Sequence, residues 1–167
     1  MIFWLLAVAV AIALAVFALA ANARAYVRRT DARFPPSGRF IDADGVRLHV
    51  REAGPFGVLP SATVETRAAG GNAPGSPRIL LIHGASSNLL ELWGPLAEEF
   101  SPLHHVIAYD RPGMGHSARA KRDAHTLAHQ AKCAARVLEQ VGDGPAIVVA
   151  HSLGSAVALR LALDHSH

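Results

Sequence analysis

From Ile2 to Ala21 every residue is apolar, with no charge, glycine or proline. As a helix, such a run crosses about 30 Å of hydrocarbon. Further on the pattern changes. Arg39-Phe40-Ile41-Asp42-Ala43 and Val46-Arg47-Leu48-His49-Val50-Arg51-Glu52 alternate apolar with polar residues on either side of Asp44-Gly45. This predicts a hairpin with an Asp-Gly turn, exposed on one face, at the antiparallel edge of a mixed sheet. Ile79 to Ile82, Val106 to Tyr109 and Ala146 to Val149 are instead apolar at successive positions, as strands covered on both faces are. Helical periods separate them. Leu89, Leu92, Trp93, Leu96 and Phe100 share a face through a break at Gly94-Pro95, and Asn88 with Glu91 marks the start of that helix. Leu127, Ala131, Ala134, Leu138 and Val141 mark a second helix that stops at Gly142, and Ser155 to Leu163 a third. Strands alternating with helices imply right-handed crossovers and an α/β fold, its mostly parallel sheet preceded by an antiparallel hairpin and by one apolar N-terminal helix.

Composition sharpens the front of the chain. Apolar residues make up 51% of it, high for a soluble domain, and much of the excess lies in the first stretch. The net charge of +3 is local too, because Arg24, Arg28, Arg29 and Arg33 against Asp31 account for all of it. A chain balanced elsewhere offers no basic surface, so nucleic acid is not an expected partner. Ala21-Asn22-Ala23 fits a signal-peptide cleavage site, but no Lys or Arg precedes the apolar run, and the run exceeds a signal peptide's core. A retained single-pass anchor is the expectation, with residues 2–21 in the lipid bilayer of a bacterial plasma membrane. The arginines that follow it place the domain on the cytoplasmic side. The expected organisation is an anchor over 1–23, a basic and Pro-rich linker over 24–37, and a domain over 38–167, in which 55–77 is a flexible surface loop rich in Gly and Pro. Cys133, alone and at an apolar helix position, reads as a small core residue.

The chemistry concentrates at Ala150-His151-Ser152-Leu153-Gly154. A strand, a five-residue turn with a small residue at each end and serine in its middle, then a helix, is the layout of a nucleophile elbow. Two strand-to-turn junctions lie upstream, one ending in His83-Gly84-Ala85-Ser86 and one in Asp110-Arg111-Pro112-Gly113-Met114-Gly115-His116-Ser117. In this order the three resemble the N-terminal half of the α/β-hydrolase superfamily, over roughly Ser37 to the last residue.

The resemblance implies a serine hydrolase acting on a carboxylic ester or related acyl bond. Ser152 is then the nucleophile, and the backbone N–H groups of Leu153 and Ala85 form the oxyanion hole. His83, Gly84, His151 and Gly154 have supporting roles: His83 braces the oxyanion loop, Gly84 lets the backbone approach the substrate, and His151 points away from the serine. Asp110 belongs to a structural turn and is not the triad acid. In the superfamily an acid and then a histidine follow the serine. Asp164, His165 and His167 are the right types, but Asp164 falls about 18 Å along the helix leading away from Ser152. The expectation is therefore a truncated hydrolase domain, inactive or nearly so, whose last strand is left at the sheet edge. The same fold also runs amide, thioester and carbon-carbon bond hydrolysis and cofactor-free peroxidation, and a catalytically inactive membrane-tethered form is a further alternative. Serine at the elbow weakens the epoxide-hydrolase and dehalogenase readings, which in the family use aspartate there. No cofactor is implied and no metal site either: His125 and His129, the one helical histidine pair, read as a solvated face.

Overall fold

The computed structural model describes residues 2–54 and 77–165. The loop expected over 55–77 thus lies outside the described residues, save Pro77 at its end. The chain divides into two compact units, Met1–Pro36 and Ser37–His167.

The first unit is a single helix, α1 (Ile2–Arg33), with a mean hydropathy of 2.9 over its most apolar window and none of that window buried. It is long and apolar enough to cross a membrane, a test that a signal sequence near the N-terminus also passes. The helix does not stop where the apolar run stops. Ala23, Arg24, Ala25, Arg28, Arg29, Ala32 and Arg33 are good helix formers and outweigh Tyr26, Val27, Thr30 and Asp31, so Arg24 to Arg33 extend the helix, and only Phe34 to Pro36 remain as non-helical linker in this unit. Pro35 and Pro36 end it, lacking the N–H groups that a helix needs.

The second unit is a five-stranded mixed sheet in the order β1-β2-β4-β3-β5. Strands β1 (Arg39–Ala43) and β2 (Val46–Ala53) form the expected hairpin, with Ala43 opposite Val46. Asp44 at φ 54° and Gly45 at φ 82° both take the left-handed conformation that a tight two-residue turn requires. Asp42 Oδ1 accepts the Gly45 N–H at 2.8 Å. The expected exposed face is not kept along β2, where Leu48, His49 and Val50 are all buried. The reason is position: β1 is the edge strand, whereas β2 is interior, pairing antiparallel with β4 (Val106–Tyr109). β4 pairs parallel with β3 (Arg78–Ile82), and β3 parallel with β5 (Ala146–Ala150).

Alternate side chains of β3 feed two cores. Leu80 and Ile82 meet Ala131, Ala134 and Val137 of α3 (Leu127–Val141) and Val157 and Leu161 of α4 (Leu153–Asp164). Ile79 and Leu81 meet Leu89, and Trp93 and Ala97 of α2 (Leu90–Phe100), on the other face. A sheet covered on both sides explains why these strands read as continuous apolar runs. α2 differs from expectation in two ways. It passes through Pro95 without a break, although the proline removes the hydrogen bond to the Glu91 carbonyl. Its start makes no capping box either: Asn88 Oδ1 accepts from the Leu90 N–H at 2.9 Å, while the Glu91 carboxylate reaches elsewhere.

Candidate active site

Three turns at the carboxyl ends of β3, β4 and β5 come together. The β5 turn is the tightest. Ser152, between the end of β5 and the start of α4, has φ 51° and ψ −121°, a conformation that L residues rarely adopt and that costs of order 1–3 kcal/mol. It is exposed. Two backbone bonds hold the turn, His151 N–H to Ile82 O at 3.1 Å and Gly154 N–H to His151 O at 2.8 Å. Gly154 is buried, and a Cβ there would overlap the carbonyl oxygens of Ile82 and His83, so only glycine lets α4 begin this close to the end of β3. Leu153 is the first residue of α4, where the N–H has no intrahelical partner and the helix dipole favours negative charge.

The β3 turn is braced from beneath. His83 is buried, its Nδ1 2.9 Å from Gly84 O and its Nε2 3.0 Å from the Arg111 N–H. Since Nε2 must accept that bond, Nδ1 carries the proton and donates to the Gly84 carbonyl. Burial holds the imidazole pKa below the ordinary histidine value; the Gly84 carbonyl opposes this and the Arg111 charge adds to it. His83 is therefore a neutral brace. The Arg111 side chain, also buried, donates to Gly84 O and, at 3.4 Å, to Ala85 O, while its other terminal nitrogen reaches Gln130 Oε1. Ala85 itself is exposed. The carbonyls of this turn thus face inward onto a guanidinium.

The β4 turn is a saturated network. Asp110 Oδ1 accepts from the Leu89 N–H at 2.8 Å, and Oδ2 accepts from the His116 N–H at 2.9 Å and from His49 Nδ1 at 2.8 Å. His49 Nε2 in turn accepts the Gly38 N–H at 3.1 Å. Burial raises the Asp110 pKa, but the bonds from His49, His116 and Leu89 outweigh it and leave the carboxyl below its ordinary value. With its oxygens committed inside the fold, Asp110 has the geometry of a structural anchor.

One connection links two of the turns. Glu91 Oε2 accepts the Gly84 N–H at 2.7 Å, and Oε1 lies 2.7 Å from Nδ1 of the exposed His151. The Gly84 amide, foremost, and then His151 and Ser87 draw the Glu91 pKa below its ordinary value against the opposing effect of partial burial. The sequence pattern marks Glu91 as a helix-start residue and singles out neither Arg111 nor His49. The paired occurrence of His83-Gly84 and Asp110-Arg111 was the available signal for the guanidinium. Nothing local in the sequence signals the pairing of His49 with Asp110.

Two further histidines are engaged elsewhere: His105 Nε2 lies 3.0 Å from Glu52 Oε2, and His104 Nδ1 3.1 Å from Pro77 O. His125 and His129 are not a helical pair. α3 is capped at Thr126, whose hydroxyl accepts the His129 N–H, so His125 precedes the helix, and His129 instead lies 3.6 Å from Cys133 Sγ. Burial pushes the Cys133 thiol up to about 11, as suits a core residue. Among the described residues no three His, Cys, Asp or Glu side chains are grouped to hold a metal ion. Asp164 pairs with Arg160 at 2.6 Å near the far end of α4. A cleft of about 660 Å³ opens between the hairpin turn and α3, lined by Asp44, Lys121, Arg122, Lys132 and Arg136 among others, but by no residue of the elbow or of the β3 turn.

These three turns on this sheet define a class, and comparison with known proteins places the chain in it. The family model for the alpha/beta hydrolase fold matches residues 77–167, more than half of the chain. The chain belongs to the α/β-hydrolase family. Among its relatives is the Caulobacter vibrioides protein named "Putative carbamate hydrolase RutD", 34% identical over 96 residues, which are 58% of this chain and 35% of that protein. Lipase LipV of Mycobacterium tuberculosis is 38% identical over 88 residues, 53% of this chain and 32% of that one. Among solved structures, the Cif epoxide hydrolase from Acinetobacter nosocomialis superposes with a TM-score of 0.57 at 29% identity, over 75% of this chain and 33% of that chain. The chain spans about a third of the length of the proteins it matches.

Proposed function

We propose that the chain carries the nucleophile half of a serine hydrolase acting on carboxylic esters or related acyl bonds, tethered to a lipid bilayer by residues 2–21. The observation that carries the reading is Ser152 itself, exposed and held at φ 51° between a parallel strand and the start of a helix. That conformation is costly, and such strain concentrates where a side chain must be presented rather than packed. Ser152 Oγ attacks the acyl carbon, its proton passing to a base, and the carbonyl oxygen becomes an oxyanion. Leu153 N–H, without an intrahelical partner at the start of α4, and Ala85 N–H, in the turn held by Arg111, donate to it. One such donor lowers the barrier by about 3 kcal/mol. The tetrahedral intermediate collapses to an acyl-enzyme, the leaving group departs with a proton, and water then releases the acid.

The histidine base and its acid come, on this account, from residues other than those described, because His49 and His83 are buried with both ring nitrogens engaged and His151 turns its Nδ1 to the Glu91 carboxylate beside Gly84. That same engagement favours the second reading, a catalytically inactive tethered fold. Aspartate at the elbow is what the family's epoxide hydrolases use, so Ser152 favours acyl chemistry over epoxide opening despite the superposition. The relatives named for carbamate hydrolysis and for lipase action agree with an acyl substrate. A fluorophosphonate probe applied to Ser152 in a chain that also supplies the histidine base and its acid separates the two readings, since only an activated serine reacts quickly.

A further inference from the structure

The sequence patterns leave Glu91 as a helix-start residue, yet its carboxylate joins the two turns that the proposed chemistry must keep in register. We propose that Glu91 is a positioning residue, a clamp that sets the oxyanion turn at Gly84–Ala85 against the nucleophile elbow at His151–Ser152. One oxygen holds the Gly84 N–H and the other the His151 imidazole, both at 2.7 Å. The catalytic meaning of the clamp rests on the reading of Ser152 as nucleophile; the clamp itself does not.

Three features of the geometry support it. The contacts are charge-assisted, the stronger class of hydrogen bond, and both end on the site-forming turns rather than on the body of α2. Gly84 fits closely beneath them: a Cβ there would stand 3.1 Å from His151 Nδ1 and 3.5 Å from each Glu91 carboxylate oxygen. Behind the turn, Arg111 fixes the Gly84 and Ala85 carbonyls, so this peptide segment is held from both sides. The arrangement also assigns the donors. The Gly84 N–H is spent on Glu91, which leaves Ala85 N–H as the one of this pair that can face a substrate oxyanion.

A clamp of this kind transmits a change at His151 to Gly84, and a side chain that merely packs α2 does not. The test is amide hydrogen exchange at Gly84, followed by NMR on the full chain in detergent for wild type, E91A, H151N and the double variant. Expected is exchange about tenfold faster in E91A, the loss of one charge-assisted bond. H151N accelerates exchange severalfold in the wild-type background and adds nothing in E91A. E91Q, which keeps an acceptor for Gly84 and a partner for His151, restores protection to within about threefold of wild type. Should E91A not fold, H151N, at an exposed position, still reads the coupling. Gly84 exchange that is indifferent to H151N, or unchanged in a folded E91A, overturns the clamp. Coupling in this cycle without phosphonate labelling of Ser152, in a chain that also supplies the histidine base, contradicts the nucleophile reading and leaves the clamp standing; labelling without coupling does the reverse.

Discussion

The Arg111 N–H donates to Nε2 of His83 at 3.0 Å, and this one bond fixes the imidazole as the Nδ1-protonated, neutral form. A proton added to His83 has to displace that donor and sit beside a buried guanidinium. The folded-state pKa is accordingly lowered below that of the unfolded chain. Between the two values the unfolded state binds the extra proton, so this contribution to stability is present above about pH 6.5 and is lost as the pH falls toward the folded value. Urea unfolding midpoints measured from pH 7.5 to 5 should decline, and H83N, which does not titrate, should decline less. At pH 7.5 H83N should itself be less stable by about 1–3 kcal/mol, the range for a buried polar group left unsatisfied.

Asp110 titrates with the opposite sense. Its folded pKa lies below the ordinary carboxylate value because His49, His116 and Leu89 hold the charged form, so its contribution is present above about pH 4 and is lost as the pH falls through the folded value. D110N keeps the shape but supplies one acceptor oxygen where the carboxylate supplied two, and one of its three donors is left short. The expected loss at neutral pH is about 2–3 kcal/mol by chemical denaturation, with a flatter acid limb than wild type. Equal stability of D110N and wild type at pH 7 would contradict the anchoring role.

Gly154 supports the elbow by absence of a side chain. G154A drives a Cβ into the Ile82 and His83 carbonyls, which forces α4 away from β3. Its thermal midpoint should fall by several degrees, since repacking strain of this kind costs about 1–3 kcal/mol. Because Ser152 moves with the start of α4, phosphonate reactivity should fall further than stability does, and the ratio of the two separates an elbow defect from general unfolding.

The bilayer tether predicts a fractionation result. α1 carries an unbroken apolar run, and none of its residues is buried. The protein should stay in the pellet when native membranes are washed with alkaline carbonate, and a variant with Leu6, Val10 and Leu14 changed to Lys should appear in the supernatant, because a central Lys costs about 2.5–3.5 kcal/mol per residue on insertion scales. Recovery of a shortened chain that begins near Ala23 would instead identify a cleaved signal segment.

Much of the fold was legible because its strands are of two kinds. Ile79 to Ile82, covered on both faces, read as an apolar run, and the Asp44-Gly45 turn announced the hairpin through the backbone conformation it needs. Boundaries set by propensity were harder. The apolar run ends at Ala21, but arginine and alanine continue a helix as readily as leucine does, so α1 goes on to Arg33. The layout of strand, small-x-Ser-x-Gly and helix could be seen at Ser152 because it is contiguous. What escaped is long-range: His49 meets Asp110 across 61 positions, and Glu91 meets His151 across 60. An alternating strand gives no sign that His49 is buried, and a glutamate three residues after an asparagine mimics a capping box whether or not its carboxylate turns back. Only the packed turns decide where such side chains go.

The account stands or falls on Ser152 as a nucleophile. The most direct measurement is fluorophosphonate labelling of a chain that carries Ser152 together with the histidine base and its acid, followed by mass spectrometry of its peptides. The account predicts one adduct, on Ser152, absent from S152A while that variant keeps the wild-type thermal midpoint. A well-folded protein that takes up no probe, or takes it up on another residue with S152A unaffected, contradicts it.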